Sequence, residues 1–335
     1  MPLIAKWEPD FLLKTKDKIK SKKYLYKSQL AIQDAIYISM LTDLTNAYLN
    51  IILYDYLIQK QNEIVNLKQQ NYFLNKSRYK FGTIDLISLN NSKEEINNQI
   101  IILENLVKKR KLYLNSFSLL LGRRADCSDE IKRGSLETFE FKDTIPKTIR
   151  SDLIYFRPDV IEIESKLKSA KIDVTIAKKD FFPSFNITSL LAFDTSGAGN
   201  FFDWSSSFAV LVAGITQDIF RGGEKFANLK IKKAKYLELV EKYKQTDLNA
   251  IKEIADTLHI IDKDTKNEEL LLNQLFLKRN DFNLSTKKYE SGVYSKIEYL
   301  NDKNVLIEQE QLTAISKIQR LCDYLTLYKA VGGQL

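Results

Sequence analysis

Side chains able to carry out catalysis are scarce in this 335-residue sequence and are poorly spaced for it. The single histidine, His259, lies in a helical pattern with no serine or cysteine nucleophile at a recognisable spacing, so we interpret it as an ordinary helix residue rather than a base. Cys127 and Cys322 share neither a CxxC nor a CxxH spacing, which argues against a zinc site or a disulfide framework. We therefore predict a protein that is not an enzyme and that binds no cofactor or metal.

Glycine pairs and charged segments do not suggest ligand chemistry either. Gly222-Gly223 and Gly332-Gly333 lack the GKS/T context of a phosphate loop. The formal net charge is +8, but the lysines are spread among glutamates and aspartates rather than collected on one face, so no nucleic-acid partner is expected. Acidic pairs such as Glu94-Glu95 and Glu268-Glu269 are interpreted as solvated helix faces.

Two single glycines interrupt long stretches that otherwise lack helix breakers. Gly82 is the only glycine in residues 11–120, Gly292 is the only glycine in residues 225–330, and neither stretch contains proline. Such stretches predict helices of unusual length. The two glycines lie 210 positions apart in similar contexts, Tyr79-Lys80-Phe81-Gly82 and Tyr289-Glu290-Ser291-Gly292. The chain is therefore predicted to be a duplicated long helical hairpin.

The signals around each glycine predict a tight reversal of the chain. Each outgoing helix would run for 66 residues, Lys14–Tyr79 and Glu224–Tyr289, or about 100 Å at 1.5 Å per residue. An N-cap, Asp85 or Ser295, follows each glycine by three residues, and Ser295 with Glu298 forms a capping box. The antiparallel return helices are expected at about 86–121 and 296–330.

Both turns are expected to be exposed tips, where apolar side chains have little core to enter. This position favours contact with a partner for Thr83, Ile84, Val293 and Tyr294. For the tyrosines and glycines, the alternative is that they only form the turn. The candidate tip residues are Tyr79, Gly82, Thr83, Ile84, Asp85, Tyr289, Gly292, Val293, Tyr294 and Ser295.

The middle of the chain changes character. Residues 122–157 are polar and contain short alternating pieces such as Thr138–Phe141, which predict a small connector with strands. Arg157-Pro158-Asp159 then begins a predicted half helix over 158–181. After Pro183 the apolar period becomes two, which predicts a β-hairpin with strands at 184–193 and 205–217.

The length of these strands, about ten residues, fits a tilted strand that crosses a membrane. Candidate interfacial aromatics near the intervening loop are Phe193, Phe201, Phe202 and Trp204. The alternative is a two-stranded ribbon in a soluble domain. Because a single hairpin would leave backbone groups unpaired in lipid, insertion would require other copies to close a barrel. No apolar stretch approaches the roughly 18 residues of a membrane-spanning helix, so no such helix is expected.

Several motifs occur in an order that resembles the outer-membrane efflux proteins of the TolC family. They look most like the branch serving resistance-nodulation-division pumps, the NodT-like lipoproteins. The resemblance extends from Trp7 to Gly333. Its motifs are Trp7-Glu-Pro-Asp10, Leu153-Ile-Tyr-Phe-Arg-Pro-Asp-Val160, Ala177-Lys-Lys-Asp-Phe-Phe-Pro-Ser184, Ile219-Phe-Arg-Gly-Gly223 and Ala330-Val-Gly-Gly333. The residues that match the family pattern are Arg157, Pro158, Asp159, Phe182, Pro183, Gly222 and Gly223.

The resemblance implies a mainly α protein with a small membrane β part. Three identical protomers would form a 12-stranded barrel in the lipids of the bacterial outer membrane, continued by a periplasmic α-helical barrel made of the long hairpins. The tips would meet a periplasmic adaptor, or membrane fusion protein, of an inner-membrane pump. The chain would then be a passive conduit that exports drugs and other toxic small molecules, and its entrance would open by outward movement of the second hairpin.

One departure from the family pattern concerns the N-terminus. A full member begins with a signal peptide, a half helix and a first β-hairpin, and none of these is recognisable before Trp7. We therefore expect an N-terminally truncated chain. Two alternative functions remain open, a soluble structural or tethering coiled-coil protein and a non-functional fragment of the channel. The predicted segments are a strand remnant at 1–10, the first hairpin at 11–121, the connector at 122–157, the half helix at 158–181, the β-hairpin at 183–217, the second hairpin at 218–331 and a tail at 332–335.

Overall fold

The computed structural model describes residues 2–124, 133–136, 151–193, 207–217 and 221–334. The elements follow in chain order: β1 (Pro2–Trp7), α1 (Lys14–Lys80), α2 (Leu86–Leu120), a 3-10 helix (Ser151–Phe156), α3 (Pro158–Lys179), β2 (Ser184–Phe193), β3 (Ser207–Thr216), α4 (Glu224–Glu290) and α5 (Lys296–Ala330). The mainly α class with a small β part is confirmed. The predicted connector strand at 138–141 and the aromatics Phe201, Phe202 and Trp204 lie outside the described residues.

The duplication extends to the ends of the helices. α1 and α4 each contain 67 residues and end one residue later than predicted, while α2 and α5 each contain 35. Both ends of α1 recur 210 positions later as the ends of α4, and both ends of α2 recur 210 positions later as the ends of α5. The glycines after the return helices, Gly122 and Gly332, also match, with φ of 69° and 71°. The two hairpins therefore follow the same plan without an insertion or deletion.

Contacts divide the chain into two compact units, the first of which comprises Met1–Ala35 and Tyr155–Asn249. Its described strands form an antiparallel sheet in the order β1-β2-β3. β2 occupies the centre, with Trp7 opposite Ile187 on one side and Phe185 opposite Ile215 on the other. The predicted remnant of a strand near the N-terminus is thus paired with the predicted hairpin.

This register separates two faces of the sheet because side chains alternate along each strand. On one face all the described side chains except Ser189 are apolar: Leu3, Ala5, Trp7, Phe185, Ile187, Leu191, Ala209, Leu211, Ala213 and Ile215. The other face mixes apolar residues with Lys6, Ser184, Asn186, Thr188 and Thr216. Leu211 is 73% exposed on the apolar face, whereas the ring of Phe185 on the same face packs against that of Phe11 at 5.1 Å.

Helix α3 joins the helical part of the first unit. Lys179 Nζ contacts Asp17 of α1 at 2.7 Å, and the hydroxyls of Ser21 and Ser169 lie 2.8 Å apart. On its other side, the ring of Phe181, just after α3, lies 5.0 Å from that of Phe226 on α4. α3 therefore holds the beginnings of both long helices near the sheet.

The second unit comprises Ile36–Ile154 and Ala250–Leu335. Its core is formed by apolar residues of three helices: Leu49, Leu53 and Leu57 of α1, Ile254 and Ile261 of α4, and Ala314, Ile318, Leu321, Tyr324 and Leu327 of α5. Glu310 of α5 contacts Lys60 of α1 at 2.8 Å and Arg279 of α4 at 3.6 Å, so α5 lies between them. α2 packs on α1, where the rings of Tyr54 and Tyr113 stack at 5.5 Å.

Helix α1 is long and apolar enough to pass a length-and-composition test for a membrane-crossing segment. The prediction that no stretch would do so was therefore wrong. The test alone is weak evidence, because a core helix of a folded domain passes it as well. In this helix Ile51, Ile52 and Leu53 are buried, but only 33% of the apolar window is buried within the described chain.

Candidate functional site

The first tip is a helix end closed by a Schellman motif, the hydrogen-bond pattern in which a left-handed residue terminates a helix. Gly82 has φ of 69°, and its N–H donates to the carbonyl of Tyr79 at 2.9 Å. The N–H and the hydroxyl of Thr83 both donate to the carbonyl of Arg78, at 2.9 and 2.8 Å. Since glycine adopts this φ without a steric penalty, the residue type follows from the turn.

The second tip repeats this geometry. Gly292 has φ of 77° and donates to the carbonyl of Tyr289 at 3.0 Å, while Val293 donates to that of Lys288 at 3.0 Å. Space is not the constraint at either glycine, because an added Cβ would meet nothing within 4 Å. Each glycine is therefore required by its backbone conformation, and the prediction that both end their helices is confirmed.

The predicted N-caps restart the chain as return helices. Asp85 accepts a hydrogen bond from the N–H of Ser88 at 2.9 Å. Ser295 accepts from the N–H of Glu298 at 3.3 Å, and Glu298 accepts in return from the N–H of Ser295 at 2.8 Å. Hydrogen bonds from the side chain and then the backbone of Ser88 lower the pKa of Asp85, and those from the side chain and then the backbone of Ser295 lower the pKa of Glu298. The capping box predicted for the second tip is present.

The candidate residues of the tips are unequally exposed. Thr83 and Val293 are exposed, the latter by 77%, whereas Ile84 and Tyr294 are half-buried. Contact of these four residues with a partner stays a prediction. Phe81, which sequence reasoning missed, is the most exposed aromatic residue of the first tip at 83%. Its place directly before a helix-ending glycine was the available signal.

The aromatic residues of the second tip contact other side chains of the same hairpin. Tyr289 stacks on Tyr299 with ring centroids 4.9 Å apart. Tyr294 lies beneath Lys288 Nζ at 5.5 Å, and the negative charge of Asp302 raises the pKa of its hydroxyl. Asp302 also accepts a hydrogen bond from the hydroxyl of Ser285 at 2.6 Å. The first tip thus presents apolar surface, while the second tip engages much of its own in internal contacts.

A groove runs between the two tips, bordered by the end of α1 and the start of α5. The lining combines apolar side chains with both signs of charge: Leu74, Ser77, Arg78, Phe81, Thr83, Ser295, Lys296, Ile297 and Glu298. Such a groove is chemically suited to a protein segment with apolar and charged side chains. Among the described residues, no cluster of three or more His, Cys, Asp or Glu side chains could hold a metal ion.

The residues matching the family pattern lie in the first unit. The Arg157 guanidinium binds the Asp159 carboxylate through two hydrogen bonds, at 3.0 and 2.8 Å, across the Pro158 that begins α3. Pro183 precedes β2, and the neighbouring Phe182 is 59% exposed. Gly222 and Gly223, with φ of 52° and 83°, lead into α4. These residues form helix and strand boundaries, which is a structural role.

Known proteins also combine long helical hairpins with a few strands. A model of the outer membrane efflux protein family matches residues 150–333, more than half of the chain. The chain belongs to the outer membrane efflux protein family. It is therefore an outer-membrane component of an efflux system, and the predicted family, location and channel role are confirmed.

Similar curated proteins cover most of this chain. The cation efflux system protein CusC of Escherichia coli is 25% identical over 339 residues, 99% of this chain and 72% of CusC. The outer membrane protein OprJ of Pseudomonas aeruginosa is 29% identical over 230 residues, 68% of this chain and 47% of OprJ.

Solved structures share the fold at lower identity. The CmeC outer membrane channel of Campylobacter jejuni matches with a TM-score of 0.88 at 19% identity, covering 99% of this chain and 71% of that one. The open state of the MtrE outer membrane channel of Neisseria gonorrhoeae matches with a TM-score of 0.84 at 19% identity, covering 98% and 74%. Both support the arrangement of long helices with a few strands.

Proposed function

We propose that three copies of this chain form the outer-membrane conduit of a tripartite efflux system. In this arrangement the sheet lies in the membrane, and the hairpin tips receive cargo through a periplasmic adaptor from an inner-membrane pump. The exposed end formed by the two tips is the observation that carries the proposal, because it offers apolar and charged surface to a partner.

Assembly of several copies follows from the sheet. Within the described residues, β1 and β3 each pair on one side only, which leaves one edge of each strand without a partner. In lipid an unpaired edge is costly because water is absent and the backbone N–H and C=O groups need another strand. The uncharged, exposed face of the sheet suits acyl chains, so strands from neighbouring copies are the natural partners for these edges.

Docking of the adaptor is supported by the chemistry of the tips. Phe81 and Val293 expose apolar surface. Around the two turns the basic residues outnumber the acidic residues Asp85, Glu290 and Glu298, the basic ones being Arg78, Lys80, Lys287, Lys288 and Lys296. A partner that buries the apolar side chains while placing carboxylates around them would satisfy both features. This favours an adaptor segment over a metal ion or a small molecule.

Cargo selection is assigned to the pump rather than to this chain. CusC is named for cation efflux, whereas a TtgC protein of Pseudomonas putida, 23% identical over 92% of this chain, is named for toluene efflux. Relatives with such different cargo names align at similar identity. We therefore propose a passive conduit that transmits what the pump delivers.

A pair of substitutions at the tips tests the proposal. Phe81→Asp and Val293→Asp should each lower export at least tenfold, because a desolvated carboxylate opposes docking of an apolar partner surface. Export is measured as resistance of a strain that depends on this channel, and assembly is measured as recovery of the oligomer and cross-linking to the adaptor.

Asn283→Asp provides the matched control, since Asn283 is exposed on α4 two turns before the tip. It adds the same charge and should leave export and cross-linking unchanged. Normal resistance in both tip variants with the oligomer intact would contradict docking through the tips.

A further inference from the structure

The second hairpin contains a buried carboxyl group, Asp323, and a half-buried one, Asp264, for which neither the tips nor the sheet accounts. Asp323 of α5 has 6% of its surface exposed, and the Asp264 carboxyl of α4 lies within hydrogen-bonding reach of it. Gln319 Nε2 donates to Asp323 Oδ1 at 3.0 Å, but the buried Oδ2 meets no donor within the described part of the chain. A buried carboxylate oxygen without a donor is costly, and a proton shared with a second carboxyl removes that cost.

The matched position in the first hairpin shows that an acid pair is not needed for the fold. Residues 54 and 113, which lie 210 positions before 264 and 323, are tyrosines whose rings stack at 5.5 Å with an angle of 25° between them. The same helix–helix contact is thus a tyrosine stack in the first hairpin and an aspartate pair in the second. The difference gives the second hairpin a contact whose strength depends on proton concentration.

The surrounding charges do not neutralise the pair. Arg320 of α5 contacts Glu268 of α4 at 2.6 Å and lies over the Tyr324 ring at 5.9 Å. Lys263 and Lys266 of α4 contact the exposed Asp262, at 3.6 and 2.9 Å. On α5 the neighbouring Cys322 thiol is uncharged, because burial raises its pKa to about 11. Within the described part of the chain, no lysine or arginine forms an ion pair with either aspartate.

We propose that Asp264 and Asp323 form a proton-operated clamp in the second hairpin. With Asp323 protonated and donating a hydrogen bond to the Asp264 carboxylate, α4 is held against α5 two turns before the end of α5. Loss of that proton sets two carboxylates against each other and loosens this contact. The clamp is a regulatory element of the hairpin and is independent of what the tips bind.

The direction of the pH effect follows from the proton affinity of the folded state. Burial, together with the hydrogen bond and the charge of Asp264, raises the pKa of Asp323 from 3.8 to about 6. A group whose pKa is raised by folding stabilises the folded state below its unfolded pKa, and that contribution is lost as the pH rises through the folded value. The clamp is therefore closed in acid and released as the pH rises through about 6.

Thermal unfolding of the purified full chain in detergent, followed between about pH 4.5 and about pH 7.5, tests this proposal. The wild-type melting temperature should fall by a few degrees as the pH rises, because the folded state loses its shared proton. Asp323→Asn should remove this fall of the melting temperature with rising pH. Replacement of both aspartates by tyrosine, which copies the first hairpin, should remove it as well while keeping the helix contact filled.

Asp262→Asn is the matched control, because Asp262 is exposed on the same helix and pairs with Lys266. This variant should keep the wild-type dependence of the melting temperature on pH. An infrared carbonyl band of a protonated carboxyl group should also be present in the wild type in acid and missing in Asp323→Asn. A wild-type dependence on pH that survives in Asp323→Asn, or the absence of that band in the wild type, would overturn the proposal. Asp264→Asn replaces Asp323→Asn if the latter does not fold.

Discussion

The first and second hairpins place different side chains at matched positions of the same backbone. Arg110 and Arg320 correspond across the duplication, yet Arg110 reaches Asp55 in a half-exposed pair, while Arg320 reaches Glu268 in a buried one. At the tips, Phe81 is 83% exposed, and the second tip instead stacks Tyr289 on Tyr299. Duplication retained helix lengths and turn conformations, which depend on the backbone, and let the side-chain contacts diverge.

The largest expected effect concerns the two arginine pairs. The side chains of Arg320 and Glu268 are 14% and 8% exposed, so Arg320→Met would remove a buried cation from its contact with the Glu268 carboxylate and cost about 3 kcal/mol or more. Those of Arg110 and Asp55 are 31% and 27% exposed, and Arg110→Met should cost about 1 kcal/mol or less. Denaturant unfolding of both variants measures the difference.

Arg133 provides a reason for the smaller cost in the first hairpin beyond exposure. Its Nη1 contacts both carboxylate oxygens of Asp55, each at 3.2 Å, so Asp55 keeps a partner when Arg110 is replaced. Equal destabilisation by the two methionine variants would show that burial does not distinguish the hairpins as the structure indicates.

A smaller and symmetric effect is expected at the tip glycines. Gly82→Ala and Gly292→Ala place a Cβ at φ of 69° and 77°, which costs about 1 kcal/mol each for the left-handed conformation, with no steric clash to add. Calorimetric unfolding of the two single variants should therefore give nearly equal shifts. A much larger shift at one tip would reveal an unequal environment that the matched turn geometry does not contain.

The smallest effect, and the only stabilising one, is expected at Leu13. This residue has φ of 54°, whereas the matched position before α4 is Gly223 with φ of 83°. Leu13→Gly should stabilise the chain by about 0.5 kcal/mol, because relief of the left-handed strain slightly exceeds the entropy cost of glycine. Gly223→Leu is the reciprocal variant and should destabilise. Opposite signs in a thermal-shift measurement check the pair, and loss of stability in Leu13→Gly would contradict it.

Much of the fold was predictable from local signals. The absence of breakers, the single glycines and the N-caps predicted both hairpins within one or two residues at each end, because helix termination is decided by a few neighbouring residues. The period-two pattern predicted both strands of the β-hairpin, and β2 was correct at both ends. The tip turns of the candidate site follow from the same local rules.

Other features depended on contacts that no local pattern contains. Glu268 was interpreted as solvated from its acidic neighbour, but it is buried against Arg320, 52 positions away. The half-burial of Ile84 and Tyr294 likewise depends on neighbouring helices and was not predicted. Phe81 was overlooked because the turn rules account only for the glycine that follows it.

By itself, the sequence determined the lengths of the four hairpin helices, the two glycine turns and the family to which the chain belongs. These properties follow from short-range preferences and from motifs read in order. Only the tertiary structure decided that α5 lies between α1 and α4, that one sheet face is almost wholly apolar, and that Asp323 meets Asp264. Such pairings depend on which helix faces and strand registers come together, and residues distant in the chain decide that through burial of their apolar surface.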